Sequence, residues 1–402
     1  MSNASLNKRV VSGMRVTGGL HLGHYHGVLK NWLKLQHEYE CFFFAADWHA
    51  LTTRYEHPEI IKESIWDMII DWLAVGVHHG NAKIFIQSWV PEHAELNLLL
   101  SMITPLGWLE RIPTYKDQMA KLEADIGTYG FLGYPLLQAA DVMIYEADYV
   151  PVGEDQIPHI EFAREVARRF NFLYGREPGY EKLAEEAIEK MGKKNAKLYR
   201  ELKKRFQEKG EEAALETALA LLEEKSNISL GDQQRLSGYL EGGGKAILVE
   251  PEPLLTSVSK LVGIDGQKMS KSYGNTISLR EEPKSVEQKI LTMPTDPARV
   301  KRTDPGNPEL CPVWSLHKVY SSSEVRDWAS NGCKTAGIGC IDCKRPVVDA
   351  INRELAPIQE AVKEYKSDLS LVKNIVAEGS EKASQVARTT LAKIKESMGL
   401  EY

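Results

Sequence analysis

The chain has 402 residues, too many for one small core, so two or three domains are expected. Hydrophobic residues make up 43 % and charged residues 26 %, and no run approaches the roughly 18 apolar residues of a membrane span, which excludes a membrane-embedded class. The net charge of −6 excludes a uniformly basic nucleic-acid binder, although local patches decide whether a phosphate backbone is met.

Met1-Ser2-Asn3-Ala4-Ser5 lacks a basic region followed by an apolar stretch, so no signal peptide is predicted. Ser2-Asn3-Ala4 reads as an expression-tag remnant, and a cytoplasmic location is expected. A β-type run at Lys8 to Val11 leads into Ser12-Gly13-Met14-Arg15-Val16-Thr17-Gly18-Gly19-Leu20-His21-Leu22-Gly23-His24 and then an amphipathic helix with Val28, Leu29, Trp32 and Leu35 on one face. Strand, glycine-rich loop and helix start together suit a nucleotide phosphate, because the backbone can approach a ligand closely and present free N–H groups. His21 and His24 alone also fit a metal pair or polar residues at a helix start.

Cys41 to Ala46 reads as a buried parallel strand ending at Asp47-Trp48-His49, where polar side chains reach a site. A helix over Pro58 to Val75 and a strand at Lys83 to Gln87 complete a second β/α unit, and Glu92 to Ile103 is a further helix, packed inside or at a dimer contact. Tyr134, Gln138 and Asp141 share one face of a helix predicted to begin at Pro135. Leu136, Leu137, Ala139 and Ala140 make that helix apolar nearly all round, so Asp141 is expected to be buried, and a buried carboxyl requires a partner that a ligand donor would supply. Tyr149 to Gln156 reads as strand, glycine turn and acidic helix start; Glu154 and Asp155 suit either capping or ribose hydroxyls.

From Pro178 to Lys245 the composition shifts to Glu, Lys, Ala and Leu, as in an inserted helical hairpin or small bundle. Its basic block, from Lys193 to Arg205, and its acidic block, from Glu211 to Glu224, fit a solvated helix pair with mutual charge pairing better than an RNA-binding arm. Lys268-Met269-Ser270-Lys271-Ser272 follows as a mobile, doubly cationic loop. Beyond Asn275 the pattern is helical again, at Val286 to Leu291, Pro312 to Tyr320, Arg345 to Lys366 and Lys382 to Met398. Four of the five cysteines fall there, spaced Cys311-x21-Cys333-x6-Cys340-x2-Cys343, which suits a zinc or iron–sulfur site and not a disulfide scaffold.

The HxGH segment at His21 to His24 and the KMSKS segment at Lys268 to Ser272, in this order, resemble class I aminoacyl-tRNA synthetases. With Tyr134 to Asp141, Val150-Pro151-Val152-Gly153-Glu154-Asp155-Gln156 and His159-Ile160-Glu161, the chain resembles the bacterial tryptophanyl-tRNA synthetase family throughout, apart from the helical insert. Cys340-Ile341-Asp342-Cys343 and the other two late cysteines make it similar to the subgroup with a 4Fe-4S cluster in the anticodon-binding domain, with Zn²⁺ as second choice.

The resemblance implies a Rossmann-like α/β fold, a doubly wound parallel sheet. Residues 1–177 and 246–280 would form the catalytic domain, 178–245 the insert and 281–402 an α-helical anticodon-binding domain. It implies ATP, Mg²⁺, L-tryptophan and tRNA(Trp) as ligands, a homodimer and no membrane. It implies catalytic roles for Lys268, Lys271, His24 and His21. ATP contacts are implied at Arg15, Val16, Thr17, Gly23, His24, Gly153, Glu154, Asp155, Lys268, Met269, Ser270, Lys271 and Ser272, and tryptophan contacts at Asp141, Tyr134, Gln138, Gln156 and His49. Cys311, Cys333, Cys340 and Cys343 would hold the metal group.

Three departures stand out. Val16 replaces a proline, which lowers the rigidity expected of the first loop. Gln138 replaces a methionine and keeps tyrosine as an alternative substrate. The insert is additional. A non-catalytic regulatory relative and a small-molecule nucleotidyltransferase are the rival classes; the intact lysines and histidines speak against the first, the helical C-terminal region against the second.

Overall fold

The computed structural model describes residues 8–112, 128–175, 179–223, 228–240, 242–244, 246–255 and 261–402. The first five residues lie outside this set, as do Pro178, Glu224 and Lys245 at the margins or inside the insert. In chain order the elements are β1 (Arg9–Arg15), α1 (Leu22–His24), a π-helical turn (Tyr25–Leu29), α2 (Lys30–Leu35), β2 (Glu40–Ala46), α3 (Asp47–Arg54), α4 (Glu59–Ala74), β3 (Ala82–Ile86), α5 (Glu92–Ser101), α6 (Leu106–Glu110) and α7 (Tyr129–Met143). Then come β4 (Tyr149–Val152), α8 (Ile157–Tyr174), the insert helices α9 (Tyr180–Lys190), α10 (Lys193–Lys209), α11 (Glu212–Glu223) and α12 (Leu230–Leu240), and β5 (Glu252–Leu255). The chain ends in α13 (Pro283–Thr292), α14 (Pro312–Tyr320), α15 (Ser323–Lys334), α16 (Cys340–Ser367) and α17 (Leu369–Ser397).

The strands form one five-stranded sheet in the order β3-β2-β1-β4-β5, with β1–β4 and β2–β3 parallel. This is the α/β architecture expected. Phe42, Phe43, Phe44 and Ala45 of β2 and Ile84 and Phe85 of β3 are buried, as a continuous apolar strand covered on both faces must be. Pro58 caps α4 and Val75 closes it, in line with the helix expected over about Pro58 to Val75.

The chain divides into two compact units. The first comprises Gly13–Ile86 and Leu255–Ser380, the second Lys8–Ser12, Gln87–Leu254 and Glu381–Tyr402. In the second unit α7 corrects one expectation: it begins at Tyr129, capped by the Thr128 side chain on the Phe131 N–H, and Pro135 sits inside it. The proline marks no start. It only denies a donor to the carbonyl one turn back.

The insert is four helices with a core of their own, including Ile188, Met191, Tyr199, Leu202, Leu222 and Leu236. Its root is clamped by Asn171 of α8, whose amide donates to the Leu248 carbonyl at 2.9 Å and whose Oδ1 accepts the N–H groups of Ile247 and Leu248 at 2.8 and 2.9 Å.

Candidate active site

In the first unit the histidine segment is paired with the stretch that follows the lysine loop. The Leu22 N–H donates to Ile277 (3.0 Å), the Leu279 N–H donates to Leu20 (3.1 Å), and His21 and Ser278 form an antiparallel bridge. The lysine loop is folded on itself: Asn275 accepts the Ser270 N–H and donates to Asp265 and to the Lys268 carbonyl, while Met269 is buried. Lys268 and Ser272 are exposed, and Lys271 reaches the first loop, donating to the Thr17 carbonyl at 3.0 Å. Its partial burial lowers its pKa to about 8, with Asp71 pulling the other way.

The first loop needs its glycines at two places. Gly18 has φ +100°, and a Cβ on Gly23 would stand 2.9 Å from the His21 ring. The His21 Nδ1 accepts the Gly23 N–H at 3.1 Å and the His24 Nδ1 accepts the His21 N–H at 3.3 Å. Burial, with Lys271 as a further cause, depresses His21 to about 4; burial, His21 and Lys271 depress His24 to about 3. Both rings are therefore neutral at pH 7 with the proton on Nε2, which makes them hydrogen-bond donors to an anionic ligand and not extra charges. Val16 is buried, Thr17 exposed, and Arg15 is exposed and donates to Thr53 at 2.6 Å. His49 is buried on α3 of this unit.

Asp71 on α4 was not foreseen. Almost fully buried, it accepts from Arg280 at 2.7 Å and from the Leu20 N–H at 3.4 Å, and so ties the glycine loop to the segment after the lysine loop. Only its position on the otherwise apolar face of α4 could have singled it out.

In the second unit Asp141 is 1 % exposed. Partners for this buried carboxyl are supplied by the protein itself. Its Oδ1 accepts from the Gln87 amide at 2.8 Å and pairs with His93 Nδ1 at 2.6 Å, while His93 Nε2 meets the Tyr145 hydroxyl at 2.7 Å. Sequence reading missed this relay, whose members come from separate stretches of the chain. These partners fix the carboxyl's orientation. Tyr134 and Gln138 are half-buried on the same helix, the Tyr134 hydroxyl lying 3.5 Å from His159. After β4, Gly153 leads into a short 3-10 turn with Glu154 and Asp155 exposed and Gln156 donating to Asp155 at 3.1 Å.

The late cysteines converge. Cys311 caps α14, Cys333 ends α15, and Cys340 and Cys343 lie in the first turn of α16; all four line one cavity of about 30 Å³ together with Arg299 and Lys344. Burial and the neighbouring sulfurs push Cys343 up to about 12, and burial raises Cys333. Among the described residues no three metal-ligating side chains stand at ligation distance. The donor set of four sulfurs round one cavity fits a tetrathiolate-held group. Cys41, the fifth cysteine, is buried in β2.

A sequence model described as tRNA synthetases class I (W and Y) matches residues 5–197 and 193–356. The chain is 63 % identical over 396 residues to a tryptophan–tRNA ligase of Ralstonia nicotianae, covering 98 % of this chain and 99 % of that one. It is 43 % identical over 397 residues to that of Thermotoga maritima, covering 98 % and 100 %. The crystal structure of tryptophanyl-tRNA synthetase from Campylobacter jejuni complexed with ADP and tryptophan superposes with a TM-score of 0.72 at 26 % identity, covering 98 % and 100 %. On this match and these identities over nearly the whole chain, the chain belongs to the class I tRNA synthetases of the tryptophan and tyrosine family.

Proposed function

We propose that the chain is a tryptophan–tRNA ligase, which activates L-tryptophan with ATP and passes it to tRNA(Trp). The observation that carries this reading is the pairing of residues 20–22 with 277–279, together with the reach of Lys271 to the Thr17 carbonyl of the first loop. The tryptophan carboxylate attacks the α-phosphate of ATP and pyrophosphate leaves; the adenylate then reacts with the terminal ribose of the tRNA. No enzyme nucleophile is needed, so catalysis rests on in-line positioning and on charge placed where the leaving group becomes more negative. Lys268 and Lys271 supply that charge, His21 and His24 donate from Nε2, and Gly23, Arg15, Val16, Thr17, Met269, Ser270 and Ser272 border ATP. Gly153, Glu154 and Asp155 hold the nucleoside. Mg²⁺, when bound with ATP, shares the phosphate charge.

Asp141 accepts the indole N–H, with Tyr134, Gln138 and Gln156 at the polar end and His49 at the wall. Residues 1–177 and 246–280 form the catalytic domain, 178–245 the insert and 281–402 the anticodon-binding domain, and the enzyme works as a homodimer in the cytoplasm. Exposed Leu98, Met102 and Leu106 support a protein contact in the second unit. Among the described residues no helix is long and apolar enough to cross a membrane.

Amino-acid-dependent ATP–pyrophosphate exchange tests the activity. Exchange with tryptophan and not tyrosine is expected; exchange with tyrosine alone would give the specificity to Gln138, and none with either would favour a regulatory role. Cys311, Cys333, Cys340 and Cys343 hold a 4Fe-4S cluster, with Zn²⁺ as the alternative; a bound cluster would cross-link three helices through their ends. Protein purified without oxygen should contain iron and acid-labile sulfide in equal amounts, and Cys340→Ser should lose both. Stoichiometric zinc with no iron would decide for the alternative.

A further inference from the structure

The insert has no part in the chemistry just described, yet its charge is distributed in an orderly way. Helix α10 carries eight lysines and arginines against two glutamates, Glu201 and Glu208, in a chain whose net charge is −6. Mutual pairing with the acidic block, the arrangement favoured from sequence, accounts for only part of it. Arg200 pairs with Glu185 at 2.7 Å and Arg205 with Glu211 at 2.5 Å. Among the described residues Lys193, Lys194, Lys197 and Lys204 make no ion pair, and all four are exposed.

The positions matter as much as the count. At 3.6 residues per turn Lys193, Lys197, Arg200 and Lys204 fall in one narrow stripe, and at about 1.5 Å per residue they follow one another in steps of about 4.5 to 6 Å. Successive phosphates of an RNA strand are spaced on that scale. The opposite face of α10, with Ala196, Tyr199 and Leu202, is buried in the insert's core, so it cannot enter a bilayer as an amphipathic membrane helix must. A rigid helix with its apolar face spent, the unpaired ammonium groups of Lys193, Lys197 and Lys204 outward and the Glu185-paired Arg200 between them is complementary to a polyanion of fixed spacing.

We infer that the stripe Lys193, Lys197, Arg200 and Lys204 on α10 is an RNA-backbone contact through which the insert grips the phosphates of the tRNA substrate. The inference rests on the ligase reading above and adds a surface to it. The contact reads charge and not sequence, so it raises affinity for tRNA in general and leaves discrimination to other surfaces.

The test uses the full-length chain, a tRNA(Trp) transcript and two triple variants, Lys193→Glu/Lys197→Glu/Lys204→Glu and the milder Lys193→Gln/Lys197→Gln/Lys204→Gln. Pyrophosphate exchange with tryptophan, measured without tRNA, should stay at the parent rate in both. In aminoacylation the KM for tRNA should rise about 10-fold in the glutamine variant and further in the glutamate one, with kcat held. The slope of log(kcat/KM) for tRNA against log salt should flatten by about 2 to 3, close to one unit for each phosphate no longer neutralised. Parental KM and salt slope in the glutamate variant would overturn the inference, as would parental tRNA charging alongside lost binding to phosphatidylglycerol vesicles. A parent chain inert in tryptophan-dependent exchange would overturn the ligase reading instead.

Discussion

Asp141→Ala should lower tryptophan-dependent pyrophosphate exchange by about 10²-fold or more while ATP still binds. A hydrogen bond to a charged buried acceptor contributes about 1.5 to 3 kcal/mol, and at about 1.4 kcal/mol per tenfold that alone spans roughly 10- to 100-fold. The alanine also releases the Gln87 amide and the His93 ring, each held by Asp141 at 2.8 and 2.6 Å, so the pocket wall loses its fixed geometry. Leaving a buried donor without its acceptor costs about 1 to 3 kcal/mol, and the thermal midpoint should fall with it. Asp141→Asn separates the two effects: its amide oxygen can still accept from Gln87, so stability should recover in part while exchange stays low. Exchange at the parent rate in Asp141→Ala would remove this residue from the substrate site.

Lys271→Ala should cost roughly 10² to 10³ in the exchange rate, the range for loss of one preorganised donor to a developing negative charge. The structure adds a pH signature. With a pKa of about 8 set by burial, Lys271 of the free enzyme loses its charge as pH rises through that value, and kcat/KM for ATP should fall there. Lys271→Arg keeps its charge at every accessible pH and should move the decline upward. His21 and His24, depressed to about 4 and 3, should add no inflection between pH 6 and 7.5. A flat profile to pH 10 in the parent would show that Lys271 is not the group that meets ATP.

The legible part of the fold was the part governed by local rules. Continuous apolar runs gave β2 and β3 because a covered parallel strand has no polar face. Pro135 misled for a local reason too: Gly130 and Gly133 weaken the helical pattern ahead of it, and proline is usual in a first turn. Of the candidate site, the burial of Asp141 and the convergence of four cysteines were legible, because each residue type is rare in its setting. The site was not legible where function depends on distant pairing. Nothing in the sequence near Asp141 announces Gln87 and His93, and nothing near Leu20 announces Asp71. Likewise, the mix of basic and acidic residues in the insert suggested pairing, whereas the fold leaves one row of lysines unneutralised.

The Asn171 clamp at the root of the insert bears on how such a chain could have acquired it. One side chain closes a span of 77 residues, from α8 to the Leu248 backbone, so the points of departure and return sit side by side. For a floppy segment of that length, closure would cost about 4 kcal/mol on a logarithmic scale. A segment that folds on its own core brings its ends together itself and removes much of that cost. The catalytic sheet is thus indifferent to what hangs from this junction, and a lineage can gain, lose or exchange the appendage without renegotiating the fold beneath it.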